Sequence, residues 1–194
     1  YSVLSEVGML PAEIMGLNEK KFKRFNYLIN NKNFLNELIK NVSGILKFVK
    51  EKKFNSIILN YDKNSENLFK WYQQLVAESL GKKSKGILPI ISNMPSDNHS
   101  LLQLYLDGPK NIFFEIMGME YAKMNMINIT LSNHLDAMSK SLSKINENTS
   151  KHIFKDKDMS KIGHFFGTEM LRVIYLAQLL EVDPFTQDAV DIQK

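Results

Sequence analysis

Apolar positions along the chain change their spacing several times, and each change marks the border of an expected element. From Asn36 to Lys53, residues Leu38, Ile39, Val42, Ile45, Leu46 and Val49 recur three and four positions apart, the period that gathers side chains on one helical face. Ser56-Ile-Ile-Leu-Asn60 breaks that period with a short, uninterrupted, β-branched run, the pattern of a buried strand in a parallel sheet. Helical spacing resumes after Asn64 or Ser65, either of which can cap it. Leu68, Trp71, Tyr72 and Leu75 form its expected inner stripe, and Gly81 stops it near Leu80.

Ile87-Leu-Pro-Ile-Ile91 is a second apolar run, in which Pro89 argues for the edge of a sheet because it has no N–H to donate. Asp97 or Asn98 is expected to cap a short helix over Ser100 to Leu106, closed by Asp107-Gly108-Pro109. Asn111 to Met117 reads as a third strand, followed by an irregular stretch containing Met124-Asn-Met126. Leu131 to Ile145 is amphipathic and helical, His152-Ile-Phe154 a short strand, and Ile162 to Leu180 a long apolar helix. Single strands alternating with helices predict an α/β sheet layered between helices, with residues 1–194 forming one domain. The charge run Asn18-Glu-Lys-Lys-Phe-Lys-Arg24 is expected to form a solvated helix surface, with Phe22 and Phe25 inward. Tyr1 to Leu10 enters an apolar segment without a polar lead, and Asp188 to Lys194 reads as a helix that stops without Gly or Pro. Both ends are those expected of a piece of a longer protein.

Composition narrows the class. With 44% hydrophobic and 24% charged residues among 194, the chain has the balance of a folding domain, not of a disordered or fibrous one. Its net charge of +4 (25 Lys and Arg against 21 Asp and Glu) is too small to imply a nucleic-acid partner. No apolar run approaches a membrane-spanning length, so neither membrane nor nucleic acid is an expected partner. The absence of cysteine excludes disulfides and thiolate metal sites and suits a reducing, cytoplasmic compartment. There is no GxGxxG, no Walker-type loop, no GxSxG and no HExxH. The four histidines, His99, His134, His152 and His164, are not spaced as metal ligands, so metal catalysis is not expected.

Two positions stand out electrostatically. Glu78 falls in the last turn of an expected helix, where the dipole disfavours a carboxylate and so strengthens its hold on a proton, as a general base requires. The alternative is a solvated glutamate balanced by Lys82, Lys83 and Lys85. His99 falls at the start of a helix, where the positive end of the dipole disfavours imidazolium; it is either a proton-exchanging group or a residue that hydrogen-bonds near the cap. Gln187 and Lys194 are unremarkable by themselves, and surface or capping roles suit them equally well.

Four segments together resemble the glucose-6-phosphate isomerase family. Trp71-Tyr-Gln-Gln-Leu-Val-Ala-Glu78-Ser-Leu-Gly-Lys82 is similar to the family's QLxxES-x-GK helix end. Asp97-Asn-His99-Ser-Leu-Leu-Gln103 with Asp107-Gly-Pro109 resembles its histidine segment. Asp183-Pro-Phe185-Thr-Gln187-Asp-Ala-Val190-Asp-Ile-Gln-Lys194 resembles its closing signature, and Tyr1-Ser-Val-Leu-Ser-Glu-Val-Gly8 resembles the stretch directly after its Gly-Gly-Arg motif. Asp191 stands where Glu is usual and Ala189 where Gly is common. The resemblance implies a doubly wound, mostly parallel sheet flanked by helices, of the sugar-isomerase type. It also implies aldose–ketose isomerisation of a sugar phosphate through a cis-enediol, with no metal or organic cofactor. Residue by residue, Glu78 would be the base, Lys194 and His99 would assist ring opening, and Gln187 would line the site near the substrate phosphate. A homodimer is implied too, His99 serving the neighbour's site. The chain would be the C-terminal half of such an enzyme, inactive alone and exposing apolar surface; the alternative is a noncatalytic sugar-phosphate-binding module of the same fold.

Overall fold

The computed structural model describes residues 1–119, 125–144, 149–154 and 158–191. Along the chain run α1 (Glu6–Ile14), α2 (Glu19–Phe22), α3 (Lys32–Lys50), β1 (Asn55–Asn60), α4 (Glu66–Leu80), β2 (Leu88–Asn93), α5 (Ser96–Asp107), β3 (Ile112–Met119), α6 (Met126–Lys144), β4 (Thr149–Phe154), α7 (Met159–Leu179) and α8 (Asp188–Asp191). They fall into two compact units. The first draws on Tyr1–Leu46, Glu78–Leu80 and Lys157–Lys194, the second on Lys47–Ala77 and Gly81–Asp156.

The second unit is an α/β layer structure. Its four strands are all parallel, in the order β2-β1-β3-β4. Alternation along β1 and β3 builds two different faces. Ile57 and Leu59 pair in register with Phe114 and Ile116, and these pack with Tyr105 of α5 and with Leu135, Met138 and Leu142 of α6 in one apolar cluster. The opposite face carries Ser56 and Glu115, both almost fully buried, and is met by α4. There the Glu115 carboxylate accepts hydrogen bonds from Ser56 Oγ (2.6 Å) and from the Tyr72 hydroxyl (3.1 Å). Gln73 Nε2 ties α4 to the edge strand through the Pro89 carbonyl (2.7 Å). Helices on both faces and a strand order that reverses at β1 make the sheet doubly wound. Ligands of such sheets gather at the carboxyl ends of the strands.

The first unit is helical. Phe22 at the end of α2 packs edge-on against Phe166 of α7, with centroids 5.4 Å apart. The backbones of these helices approach so closely that a Cβ at Gly163 would stand 1.7 Å from the Phe22 carbonyl oxygen, so only glycine fits the crossing. Leu28, Leu38, Val42, Val173, Leu176 and Ala177 complete the interior. Within it lies an ion pair: Arg172 Nη2 sits 2.6 Å from Glu169 Oε2, both side chains are 2% exposed, and Arg172 Nη1 donates to Asn41 Oδ1 of α3 at 3.2 Å. On α1, by contrast, Val7, Leu10 and Ile14 are 77%, 62% and 79% exposed.

Several expected boundaries move. Helix α3 spans Lys32–Lys50, and its buried stripe is Leu38, Val42, Ile45 and Phe48; Ile39, about a hundred degrees further round, is exposed. In α4 the buried line is Phe69, Tyr72, Leu75 and Val76, with Leu68 and Trp71 at its margin. Ser65 precedes α4 without a capping bond, because its hydroxyl is given to the Asp62 carboxylate. Helix α5 begins at Ser96, four residues before the expected start. Asp97 therefore does not cap it and instead accepts from Asn93 N (2.7 Å) and Ser92 Oγ (3.2 Å). Helix α6 also starts early, at Met126, where Asn125 Oδ1 accepts from Asn128 N. The expectation at Met124 lies outside the described residues. Pro89 stands in an edge strand, as its missing donor requires.

Candidate active site

The end of α4 is built to stop at Glu78-Ser79-Leu80. Leu80 is fully buried, and Gly81 takes the next position with its N–H on the Ala77 carbonyl, where a Cβ would come within 2.7 Å of that same oxygen. The chain then turns through Lys83 and Ser84, both at positive φ. Glu78 is exposed on this last turn while its neighbour Ser79 is buried.

Two distant segments close on this helix end, all within the first unit. Gln187, 109 residues later, donates from Nε2 to Glu78 Oε2 at 2.8 Å. The segment that carries it is shaped locally: Asp183 Oδ1 accepts from Phe185 N at 2.9 Å, and the Gln187 carbonyl accepts from Val190 N as α8 begins. The other segment is the chain start. The Tyr1 ring lies 5.0 Å from that of Phe185, tilted by 50°, and its phenol oxygen accepts from Ser79 Oγ at 3.3 Å. Burial pushes the Tyr1 phenol above its ordinary value, an effect that the Ser79 hydrogen bond opposes.

Of the residues singled out in the sequence, Glu78 and Gln187 thus meet. His99 belongs to the second unit, where it is exposed on the first turn of α5. Lys194 lies outside the described residues. Tyr1, Ser79 and Phe185 are not among the residues singled out, although each sits inside one of the four motif segments. Motif membership is visible in the sequence, but nothing in the local pattern shows that the first residue and the 185th share a ring contact.

A solvent-accessible carboxylate held by a neutral amide donor can accept and return a proton, which is the chemistry a general base needs. Among the described residues no group of three or more His, Asp or Glu is placed to hold a metal ion. The second unit has a cavity of about 130 Å³ near the carboxyl ends of β3 and β4, lined by Tyr61, Leu135, Asp136 and Lys151 among others; His99 of the same unit is not among its lining residues. Among the described residues no helix is long and apolar enough to cross a membrane.

No family model matches the chain. Individual proteins do. The glucose-6-phosphate isomerase of Mycoplasmopsis synoviae (strain 53) is 30% identical over 223 aligned residues, which cover all of this chain and 51% of that protein. That of Mycoplasma capricolum subsp. capricolum is 27% identical over 221, with the same coverage of both. The enzyme of the same name from Methanocaldococcus jannaschii is 33% identical over 126 residues, 60% of this chain and 30% of its own. The chain spans about half the length of the first two of these curated relatives. Among solved structures, a hypothetical protein from Thermus thermophilus superposes with a TM-score of 0.80 at 18% identity, over 97% of this chain and 52% of its own. A glucose-6-phosphate isomerase from Chlamydia trachomatis gives 0.60 at 14% identity, over 72% of this chain and 33% of its own. At these identities the two structures speak for the fold alone.

Proposed function

Since this chain is homologous to glucose-6-phosphate isomerases over its whole length, we propose that it forms one half of such an enzyme and contributes the proton-carrying part of its active site. The observation that carries the reading is the Gln187–Glu78 hydrogen bond, which joins the helix-end motif to the closing motif across 109 residues. In this reading the substrate is a cyclic sugar phosphate. His99 and Lys194 exchange the protons that open the ring. Glu78 takes the C2 proton of the open aldose, leaving a cis-enediolate; one proton passes from O2 to O1, and Glu78 returns the carbon-bound proton to C1 to give the ketose. A general base acting in this way contributes about 10²–10⁴-fold. Gln187 lies on the phosphate side of the site. The arginine that the motif resemblance sets just before Tyr1 stabilises the enediolate. No cofactor enters this scheme, the working assembly is a homodimer with His99 serving the neighbour's site, and the compartment is the cytoplasm.

The test is to express the parent polypeptide carrying this chain and to follow conversion of fructose 6-phosphate to glucose 6-phosphate, beside the 194-residue chain alone. Turnover by the parent and about a hundredfold less or no turnover by the chain alone is expected, since a reacting group without its binding partners is not held in attack geometry. A parent that binds fructose 6-phosphate without converting it would instead be a noncatalytic sugar-phosphate-binding module.

A further inference from the structure

Helix α6 meets the sheet closely at Gly118 of β3, where a Cβ would run into Leu135 Cδ1 and stand 3.3 Å from Ile153 Cδ1. Leu135 and Ile153 are also walls of the cavity of about 130 Å³. Tyr61, the residue after β1, and Met119, the last of β3, put that cavity at the carboxyl ends of the strands, where ligands of such sheets gather. An apolar cavity of about 150 Å³ holds a molecule the size of benzene, so this one has room for a body of about four to six carbon atoms.

The wall that α6 contributes is divided. Leu131 and Leu135 lie one turn apart on the helix, and Ser132 and Asp136 lie one turn apart about a hundred degrees further round. With Met119 and Ile153 the first pair makes an apolar side. The second pair makes a polar side with Lys151 of β4, whose Nζ sits 2.9 Å from Asp136 Oδ1. Donors outnumber acceptors there. Lys151 has three N–H bonds, of which Asp136 takes one, and no described residue hydrogen-bonds the Ser132 hydroxyl. The Tyr61 hydroxyl reaches the His134 carbonyl only at 3.5 Å, the outer limit of such a bond. Burial pushes the Tyr61 phenol up, so it keeps its proton and remains a donor.

We propose that this cavity binds a small monocarboxylate with a branched or cyclic apolar body, its carboxylate held by Lys151 Nζ and Ser132 Oγ and its body lying between Leu131, Leu135, Met119 and Ile153. A carboxylate brings only acceptors, which is what a cluster of surplus donors matches, and the divided wall suits a molecule with one charged end. Asp136 repels such a ligand and shares its lysine. Its side chain is 54% exposed, so it can turn to solvent as the ligand arrives. The site lies wholly within the second unit and is independent of the reading in which Glu78 carries the proton.

The experiment titrates the parent polypeptide with isovalerate and with its uncharged counterparts isovaleramide and isoamyl alcohol. Binding is followed by NMR through the Ile153 methyl signal of isoleucine-labelled protein, identified by its disappearance in Ile153→Val. A Kd of about 1 mM is expected for the acid, as suits a ligand of so few atoms, with the amide and the alcohol about tenfold weaker or more. Lys151→Met keeps the apolar stem and removes the charge; it should weaken the acid by about tenfold, whereas Lys151→Arg should stay within about threefold of the parent. Asp136→Asn removes a like charge and should tighten the acid by about threefold. An Ile153 methyl signal that none of the three compounds shifts would overturn the proposal. So would equal binding of acid and alcohol, which would make the cavity an apolar site alone, undiminished binding of the acid to Lys151→Met, or weaker binding to Asp136→Asn than to the parent.

Discussion

Glu169 and Glu78 lie on two long helices that both contribute to the first unit, and each meets a nitrogen donor, Arg172 Nη2 at 2.6 Å in one case and Gln187 Nε2 at 2.8 Å in the other. Their surroundings differ. Glu169 and its partner are 2% exposed, so the carboxylate has lost water and needs a full countercharge to remain ionised inside the fold. Glu78 keeps its solvent, and a neutral amide is among the groups that meet it. An interior ion pair of this kind is locked by the cost of separating it. An exposed carboxylate can be replaced at little cost to the helix that bears it.

The comparison is broken most severely at Arg172. Arg172→Met leaves the Glu169 carboxylate buried without its guanidinium and should destabilise the protein by about 3–5 kcal/mol in denaturant unfolding. Adding Glu169→Leu to it should restore most of that loss, because an apolar pair of similar volume replaces both charges. A double variant as unstable as the single one would show that packing, not the buried charge, sets the penalty.

His164 is the intermediate case. It lies on the same helix as Glu169, edge-on to Phe34 with centroids 5.7 Å apart, and burial holds its imidazole below the ordinary value of 6.5. The unfolded chain therefore takes up the proton more readily than the folded one. The stability tied to the neutral ring is fully present above about pH 6.5 and is lost as the pH falls below it. Thermal unfolding followed from about pH 7.5 to 5 should show a decline in Tm that is shallower in His164→Gln. Parallel curves for the two proteins would mean that His164 titrates alike in both states.

The smallest effect on folding is expected at Glu78. Glu78→Gln should change unfolding free energy by less than about 0.5 kcal/mol, since the site is exposed and an amide oxygen can still accept from Gln187. If Glu78 is the base proposed above, kcat in the parent polypeptide should nonetheless fall by about a hundredfold or more, because a neutral amide cannot take the carbon-bound proton. A stability loss as large as that of Arg172→Met would place Glu78 among the structural carboxylates and remove it from the chemistry.

Local pattern by itself determined the elements whose cues lie within a few residues. The run that forms β1 is uninterrupted and β-branched, and that of β3 is aromatic and β-branched apart from Glu115, so a buried parallel strand is legible in each, and Gly81 marks the end of α4 and hence the exposed turn that bears Glu78. Motif order along the chain points to the family and to Glu78, His99, Gln187 and Lys194 as a set. Tertiary structure decided what periodicity is blind to. Which side of α3 is buried depends on what lies against it, so spacing puts Ile39 inward while the fold leaves it exposed. The start of α5 moves because Asp97 is drawn to the end of β2 instead of capping a helix. Glu115 looks like a lone charge in an apolar run until Ser56 and Tyr72 arrive from other elements to satisfy it. The Gln187–Glu78 bond and the Tyr1–Phe185 ring pair join residues more than a hundred positions apart, and only the folded path of the chain brings them within reach, because hydrogen bonds and ring contacts act over a few ångströms while sequence patterns report only on near neighbours.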